Sequence, residues 1–231
     1  MKTLGLIGGM TWVSTVDYYR IINQQTNERL DGFNSTKILL YSLNFEEDFK
    51  LAADADKWEE IADTFTEISR RLETAGAECI VICANTPHLV ADIVRQKIHI
   101  PLIHIAEATA AEVKRKGIKK IGLLGTKFTM ERNFFKDKLA QQHIETLIPA
   151  ADDREFIHLS ILNEFSKEIF AKATKEKYLV IINKLIEQGA EGIIFGCTEI
   201  PLLLKQDDCL VPVFDTTLIH AKAAVDFALK E

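Results

Sequence analysis

The sequence predicts an α/β protein made of two related halves, each a small parallel-sheet unit. Three observations lead there. Short apolar runs rich in Ile, Val and Leu recur along the chain, at 2–7, 37–43, 78–83, 101–105, 119–125, 144–148, 191–196 and 211–214. Longer amphipathic stretches separate them, and near-continuous apolar strands alternating with helices indicate a parallel sheet covered on both faces. The chain also repeats itself at about half its length. Lys2-Thr3-Leu4-Gly5-Leu6-Ile7-Gly8 resembles Lys119-Lys120-Ile121-Gly122-Leu123-Leu124-Gly125, and Gly76-Ala77-Glu78 resembles Gly189-Ala190-Glu191.

Taken in order, the first run sits in MKTLGLIGGMTW, whose short greasy stretch resembles a secretion leader only faintly. It has no small-x-small cleavage site and runs into the charged, aromatic VDYYR, so it reads as a buried first strand. The clearest helix is 57–75, where Trp58, Ile61, Ala62, Phe65, Ile68 and Leu72 recur at helical spacing with acids and arginines opposite. The strands at 78–83 and 191–196 each lead into a cysteine, Cys83 and Cys197, and each cysteine precedes a proline by four residues, Pro87 and Pro201. A final helix is expected over 215–230. No Gly-, Pro- or Ser-rich linker divides the halves, so the crossings fall near 101–106 and at the final helix. The expected domains are 1–103 together with the C-terminal helix 215–231, and 104–214.

Composition narrows the function. With 231 residues and about 150 residues per domain, one large domain or two compact ones fit. The 28 basic and 34 acidic residues give a net charge of -6, without a basic run. That argues against nucleic-acid binding and against a polybasic membrane contact. No apolar run approaches the roughly 18 residues of a membrane span. The four cysteines, at 79, 83, 197 and 209, form no CxxC pair. Four residues of strand would hold Cys79 and Cys83 about 13 Å apart, beyond disulfide reach of about 7 Å. Free thiols of this kind suit a reducing compartment, and the expected location is cytoplasmic.

Ligands of open parallel sheets bind at the carboxyl ends of the strands. Four segments place small and polar residues there: Gly8-Gly9-Met10-Thr11, Cys83-Ala84-Asn85-Thr86-Pro87, Gly125-Thr126-Lys127-Phe128-Thr129 and Gly196-Cys197-Thr198-Glu199. The first lacks both GxGxxG and a following GK[ST], so it is neither a dinucleotide fingerprint nor a phosphate loop. In the two cysteine segments a thiol stands between a strand and a helix start, with Thr86 and Thr198 as expected N-caps. A helix N-terminus favours thiolate and attracts a substrate carboxylate. Cys79 and Cys209 read as packing residues. Two thiols on facing halves suit racemisation, because removing a Cα proton from one face and returning one to the other needs two bases. The histidines at 88, 99, 104, 143, 158 and 220 show no metal-ligand spacing and read as surface or core residues. Asp215 and His220 either orient the site or cap the last helix, with the cap preferred. The run Glu46-Glu47-Asp48 reads as a solvated loop.

At these motifs the chain resembles the aspartate/glutamate racemase family, cofactor-independent amino-acid racemases, and the aspartate racemases within it. GLIGGMTWVST, ICANTPH, LLGTKFTM, IFGCTEIPLLL and VFDTTLIHA match family segments in order across essentially the whole chain. The resemblance implies two pseudo-symmetric α/β domains with the active site in the cleft between them, a homodimer, a small amino-acid substrate, and no cofactor or metal. It places the acid/base pair on Cys83 and Cys197. Its substrate contacts fall on Met10, Asn85, Thr86, Thr126, Thr198 and Glu199, with Lys167 on a substrate carboxylate.

Two departures bear on substrate. The chain carries GCTE where glutamate racemases carry GCTH. The arginine that aspartate-type members can place after the second strand is absent, and Lys50 is the nearest cation, a point charge without arginine's fork. The leading expectation is interconversion of L- and D-aspartate, with glutamate as a further substrate. Its rivals are a racemase of broader specificity in the same fold and a non-catalytic two-lobed carboxylate binder.

Overall fold

A computed structural model describes residues 1–230, and the chain divides into two compact units, Met1–His104 with His220 onward, and Ile105–Ile219. The second boundary falls inside the last helix, between Ile219 and His220, rather than at the helix start near 215.

The first unit runs β1 (Leu4–Gly8), α1 (Trp12–Leu30), β2 (Ile38–Ser42), a π-helical turn (Glu46–Lys50), α2 (Leu51–Asp54), α3 (Trp58–Thr74), β3 (Cys79–Ile82), a 3₁₀ turn (Thr86–Val90), α4 (Ala91–Arg95) and β4 (Leu102–Ile103). Its four strands pair in parallel in the order β2-β1-β3-β4. The second unit runs α5 (Ile105–Arg115), β5 (Lys120–Gly125), α6 (Lys127–Glu131), α7 (Asn133–Ala140), β6 (Glu145–Leu147), α8 (Ala151–Asn163), a 3₁₀ turn (Phe165–Lys167), α9 (Lys172–Glu187), β7 (Ile193–Gly196), α10 (Ile200–Leu203), a 3₁₀ turn (Gln206–Asp208) and β8 (Val213–Asp215). Its strands pair in parallel as β6-β5-β7-β8, the same order as the first sheet. Helix α11 (Thr216–Leu229) carries the chain back to the first unit. The internal repeat of the sequence is thus a repeat of topology, and every expected strand is present. Among the described residues, no helix is long and apolar enough to cross a membrane.

Strands β1, β3 and β7 are buried along their whole length, which is why they read as unbroken apolar runs. The pleat sends alternate residues to opposite layers. On β3, Ile80 and Ile82 join Ile61, Phe65, Ile68 and Leu72 of α3. Cys79, Val81 and the following Cys83 join Tyr18 and Ile22 of α1 and Ala221, Ala224 and Val225 of α11. On β7, Ile193 and Phe195 pack with Tyr178, Ile181 and Leu185 of α9, while Ile194 faces Val113 of α5 and Phe135 and Leu139 of α7. Each of the four large apolar side chains α3 contributes is worth about 1.5–3 kcal/mol of burial, enough to hold that helix on its sheet.

The Glu46–Lys50 segment is a correction. It is helical, not a loop, because Phe45 and Phe49 stack at 5.9 Å and Phe49 packs against Trp58 and Phe65, giving the acidic run an apolar side.

Candidate active site

In each unit the parallel strands bring their carboxyl ends to one edge. In the first, Gly9 sits at φ +93°, and a Cβ there would lie 2.3 Å from the Leu43 carbonyl oxygen, so only glycine allows the β1 and β2 ends to approach this closely. The Gly9 N–H donates to Thr15 Oγ1 at 2.7 Å, and Ser14 Oγ of the same helix donates to the Cys83 carbonyl at 2.5 Å. These bonds tie the start of α1 to the ends of β1 and β3. In the second unit, Thr126 caps α6 by accepting from the Thr129 N–H at 3.3 Å. Thr216 Oγ1 donates to the Phe195 carbonyl at 2.9 Å, fixing the end of β7 to the start of α11.

Cys83 and Cys197 are both buried at these edges, but their surroundings differ. Cys197 Sγ–H donates to Glu199 Oε2 at 2.9 Å, and Thr198 Oγ1–H donates to the same oxygen at 2.5 Å. Cys83 has only a long contact, 3.8 Å, to the Val81 carbonyl. Burial pushes the Cys83 thiol far above the ordinary thiol range. Burial also raises Cys197, assisted by the charge and hydrogen bond of Glu199 and opposed by the backbone N–H groups of Glu199 and Thr198.

This corrects two expectations. The helical pieces following the thiols are short, a five-residue 3₁₀ turn and the four-residue α10. Their N-caps are Asn85 and Glu199, one residue displaced from Thr86 in the first case and from Thr198 in the second, and neither makes a side-chain cap bond. The pull of so short a helix loses to desolvation, and both thiols rest protonated. The placement is also not symmetric. Ile7 pairs with Ile82, and its counterpart Leu124 pairs with Phe195. Cys83 therefore corresponds to Gly196, and Cys197 to Ala84. A one-residue step reverses the face, which is why Cys83 lies in the layer of α1 and α11 while Cys197 lies in that of α9.

The other expected site residues divide. Asn85 and Thr86 are buried directly after Cys83, and the Asn85 carbonyl accepts from the His88 N–H at 3.0 Å. Thr198 and Glu199 are buried with Cys197. Met10 stands at the end of β1 with its side chain in the α3-side core. Lys50 follows β2, its ammonium 2.6 Å from Asp54, which raises its pKa through that hydrogen bond and charge. Lys167 is exposed in the turn after α8 and makes no ion pair among the described residues. Asp215 caps α11, its Oδ1 accepting from the Thr217 and Leu218 N–H groups at 2.9 and 3.1 Å. Cys79 and Cys209 lie off the site, at the start of β3 and after the last 3₁₀ turn. Ser14 bonds the Cys83 carbonyl and His88 the Ala84 carbonyl, with His104 and His220 packed behind His88; of these, sequence reading weighs only His220 for a site role. Only the GGMTWVST run, which puts serine in the first turn after a strand end, hinted at Ser14. Among the described residues no group of three or more His, Cys, Asp or Glu is placed to hold a metal ion.

Two parallel units of one topology, each presenting a buried thiol beside small polar residues at a strand end, define a duplicated α/β protein. The model of the Asp/Glu/Hydantoin racemase family matches residues 7–224, and the chain belongs to that family, which makes it an isomerase of the amino-acid racemase class. It is similar over 100% of both chains, at 49% identity and TM-score 0.93, to a crystal structure from Yersinia pestis assigned to the Asp/Glu racemases. It is likewise similar over 100% of both chains, at 35% identity and TM-score 0.87, to an aspartate racemase homologue from Pyrococcus horikoshii OT3. A glutamate racemase of Carnobacterium sp. (strain St2) is 26% identical over 162 residues, 69% of this chain and 56% of that protein's length.

Proposed function

We propose that the protein interconverts L- and D-aspartate, with glutamate as a poorer substrate, by moving the Cα proton between Cys83 and Cys197 without pyridoxal phosphate or metal. The observation that carries this reading is the Cys197–Glu199 hydrogen bond at a strand end, matched by a second buried thiol at the end of β3. The proton on Cys197 Sγ passes to Glu199 Oε2, and the thiolate so formed takes the Cα proton. The Cys83 thiol then gives its proton to the opposite face of the carbanion, inverting the centre and leaving Cys83 as thiolate. The reverse sequence serves the other enantiomer. Asn85, Thr86, Thr126 and Thr198 supply small hydroxyl and amide groups for the substrate's amino and carboxylate groups. The similarity to the aspartate racemase homologue favours aspartate, as does glutamate in place of histidine after the second cysteine. Free cysteines fit a reducing, cytoplasmic setting, and the assembly proposed is a homodimer.

Chiral chromatography of pure L- and D-amino acids tests the reading. Both aspartate enantiomers should reach an equal mixture, while Cys83→Ala and Cys197→Ala each lower racemisation by at least about a thousandfold. In deuterium oxide each variant should still exchange the Cα hydrogen of one enantiomer, a different one in each. Full racemisation by either variant rules out the two-thiol mechanism.

A further inference from the structure

We propose that the buried imidazole cluster of His88, His104 and His220 is the positioning device of the Cys83 turn, with His88 acting as a hydrogen-bond donor to Ala84. This rests on the reading of Cys83 as an acid/base thiol. All three rings are fully buried in the first unit. His88 Nδ1 lies 2.8 Å from the Ala84 carbonyl. A carbonyl only accepts, so Nδ1 carries the hydrogen and neutral His88 keeps its lone pair on Nε2, which makes no hydrogen bond of normal geometry. The ring is therefore held for its Nδ1 bond and for packing. Its ring centroid lies 4.8 Å from that of His104, tilted, and 5.3 Å from that of His220, edge to face. His220 Nε2 donates to the Ile103 carbonyl at 2.8 Å, which leaves Nδ1 to accept from the Tyr18 hydroxyl at 2.8 Å.

The cluster thus joins α1, the end of β4 and α11 around the residues that follow Cys83. Tyr18 stands one turn beyond Ser14, whose hydroxyl holds the Cys83 carbonyl. His88 holds the next carbonyl, that of Ala84. Two successive carbonyls at the thiol are fixed by groups that the cluster itself keeps in register, and the Sγ position follows.

The arrangement works only with neutral rings. Burial, then repulsion from His104 and His220, holds His88 well below the usual imidazole range; burial holds His220 at about 4. Tyr18 of α1 bonds His220, and the imidazoles face one another. The charges acting on His88 come from His104 and His220, and the one acting on His220 from His104.

The test compares His88→Asn, whose amide can still donate to Ala84, with His88→Leu, which cannot. Racemisation of aspartate is measured alongside iodoacetamide alkylation of Cys83 and Cys197, read by mass spectrometry of their peptides. The leucine variant should lose about tenfold or more in kcat with KM little changed, and the asparagine variant less than about threefold. Cys83 should alkylate several times faster in the leucine variant only, and Cys197 equally in all three proteins. Equal kcat and equal Cys83 alkylation in the native and leucine proteins overturn the proposal, as does a kcat loss without a change at Cys83. Alkylation that separates leucine from asparagine in a protein without racemase activity supports the positioning role and removes the racemase reading. Should the leucine variant not fold, the ratio of Cys83 to Cys197 alkylation decides. It should stay level in the native protein down to about pH 5, where the rings remain neutral, and rise as pH falls toward about 4, and His88→Asn should lessen that rise. An identical profile in both proteins overturns the proposal.

Discussion

The ends of β3 and β7 are the same place in two copies of one topology, yet their thiols meet different chemistry. Cys197 points into the α9 layer and finds a carboxylate 2.9 Å away. Cys83 stands one step out of register, points into the α1–α11 layer, and finds imidazoles behind its turn instead. A duplicated scaffold therefore need not give two equivalent bases. A single residue of register, through the alternation of the pleat, gives one thiol a carboxylate partner and leaves the other against the backbone. In the proposed reaction Cys197 exchanges its proton through Glu199, and Cys83 depends on being placed correctly.

The sharpest way to erase that difference is Glu199→Gln, which leaves Cys197 without a proton acceptor, as Cys83 is now. We expect kcat for aspartate to fall by about a hundredfold, the scale of one general acid/base group. The loss of negative charge should at the same time lower the Cys197 pKa, since Glu199 is one of the causes holding it up. Alkylation of Cys197 as a function of pH should then shift to lower pH while that of Cys83 stays put. Unchanged racemisation would show that Glu199 takes no part in proton exchange.

Acid separates the units in another way. His220 titrates at about 4 in the folded chain against 6.5 for the free side chain. A group whose folded pKa is depressed gives stability that is complete above the unfolded value and is lost as pH falls toward the folded one. Between pH 6.5 and 4 the unfolded chain binds the extra proton, so the first unit loses about 3 kcal/mol from His220 alone, with His88 acting in the same direction. The second unit has no fully buried imidazole; its His143 and His158 are exposed and half-buried. Both tryptophans, Trp12 and Trp58, lie in the first unit, so their fluorescence reads that unit during guanidinium unfolding. The midpoint should drop steeply from pH 7 to pH 4.5. A fluorescence midpoint independent of pH across that range would contradict the buried, neutral state of the cluster.

What the sequence made legible follows from which forces are local. Strands such as β3 and β7 are buried on both faces and so must be apolar at every position, and α3 must show its stripe; all were readable. The turn at Glu46–Lys50 was not, because three acids outweigh Phe45 and Phe49 in a reading by polarity, although the rings decide the packing. The paired motifs pointed to Cys83 and Cys197, but the equal spacing to Pro87 and Pro201 implied symmetry. Strand register is set by the hydrogen-bond ladder, and it aligns Cys83 with Gly196 instead. The imidazole cluster joins mid-sequence His88 and His104 to His220 of the last helix, a proximity that only the folded topology creates.

The two candidate lysines offer the smallest and most specific contrast. Lys50, in the first unit, already spends its charge on Asp54, an exposed pair of little energetic weight. Lys167, in the second, is exposed and makes no ion pair among the described residues, so its ammonium is available to a ligand. A bound dicarboxylate that loses water at its side-chain carboxylate needs a cation there, because an unpaired buried charge is costly. One such pair, worth about 1.4 kcal/mol, sets a tenfold preference. We therefore expect native protein to favour aspartate over alanine in kcat/KM, Lys167→Met to reduce that preference about tenfold, and Lys50→Met to change it less than about twofold. Kinetics with both substrates on the three proteins provide the check. Equal effects of the two substitutions would remove Lys167 from substrate recognition. Native protein that turns over alanine as readily as aspartate would show that no cation reads the second carboxylate, leaving a racemase of broader specificity.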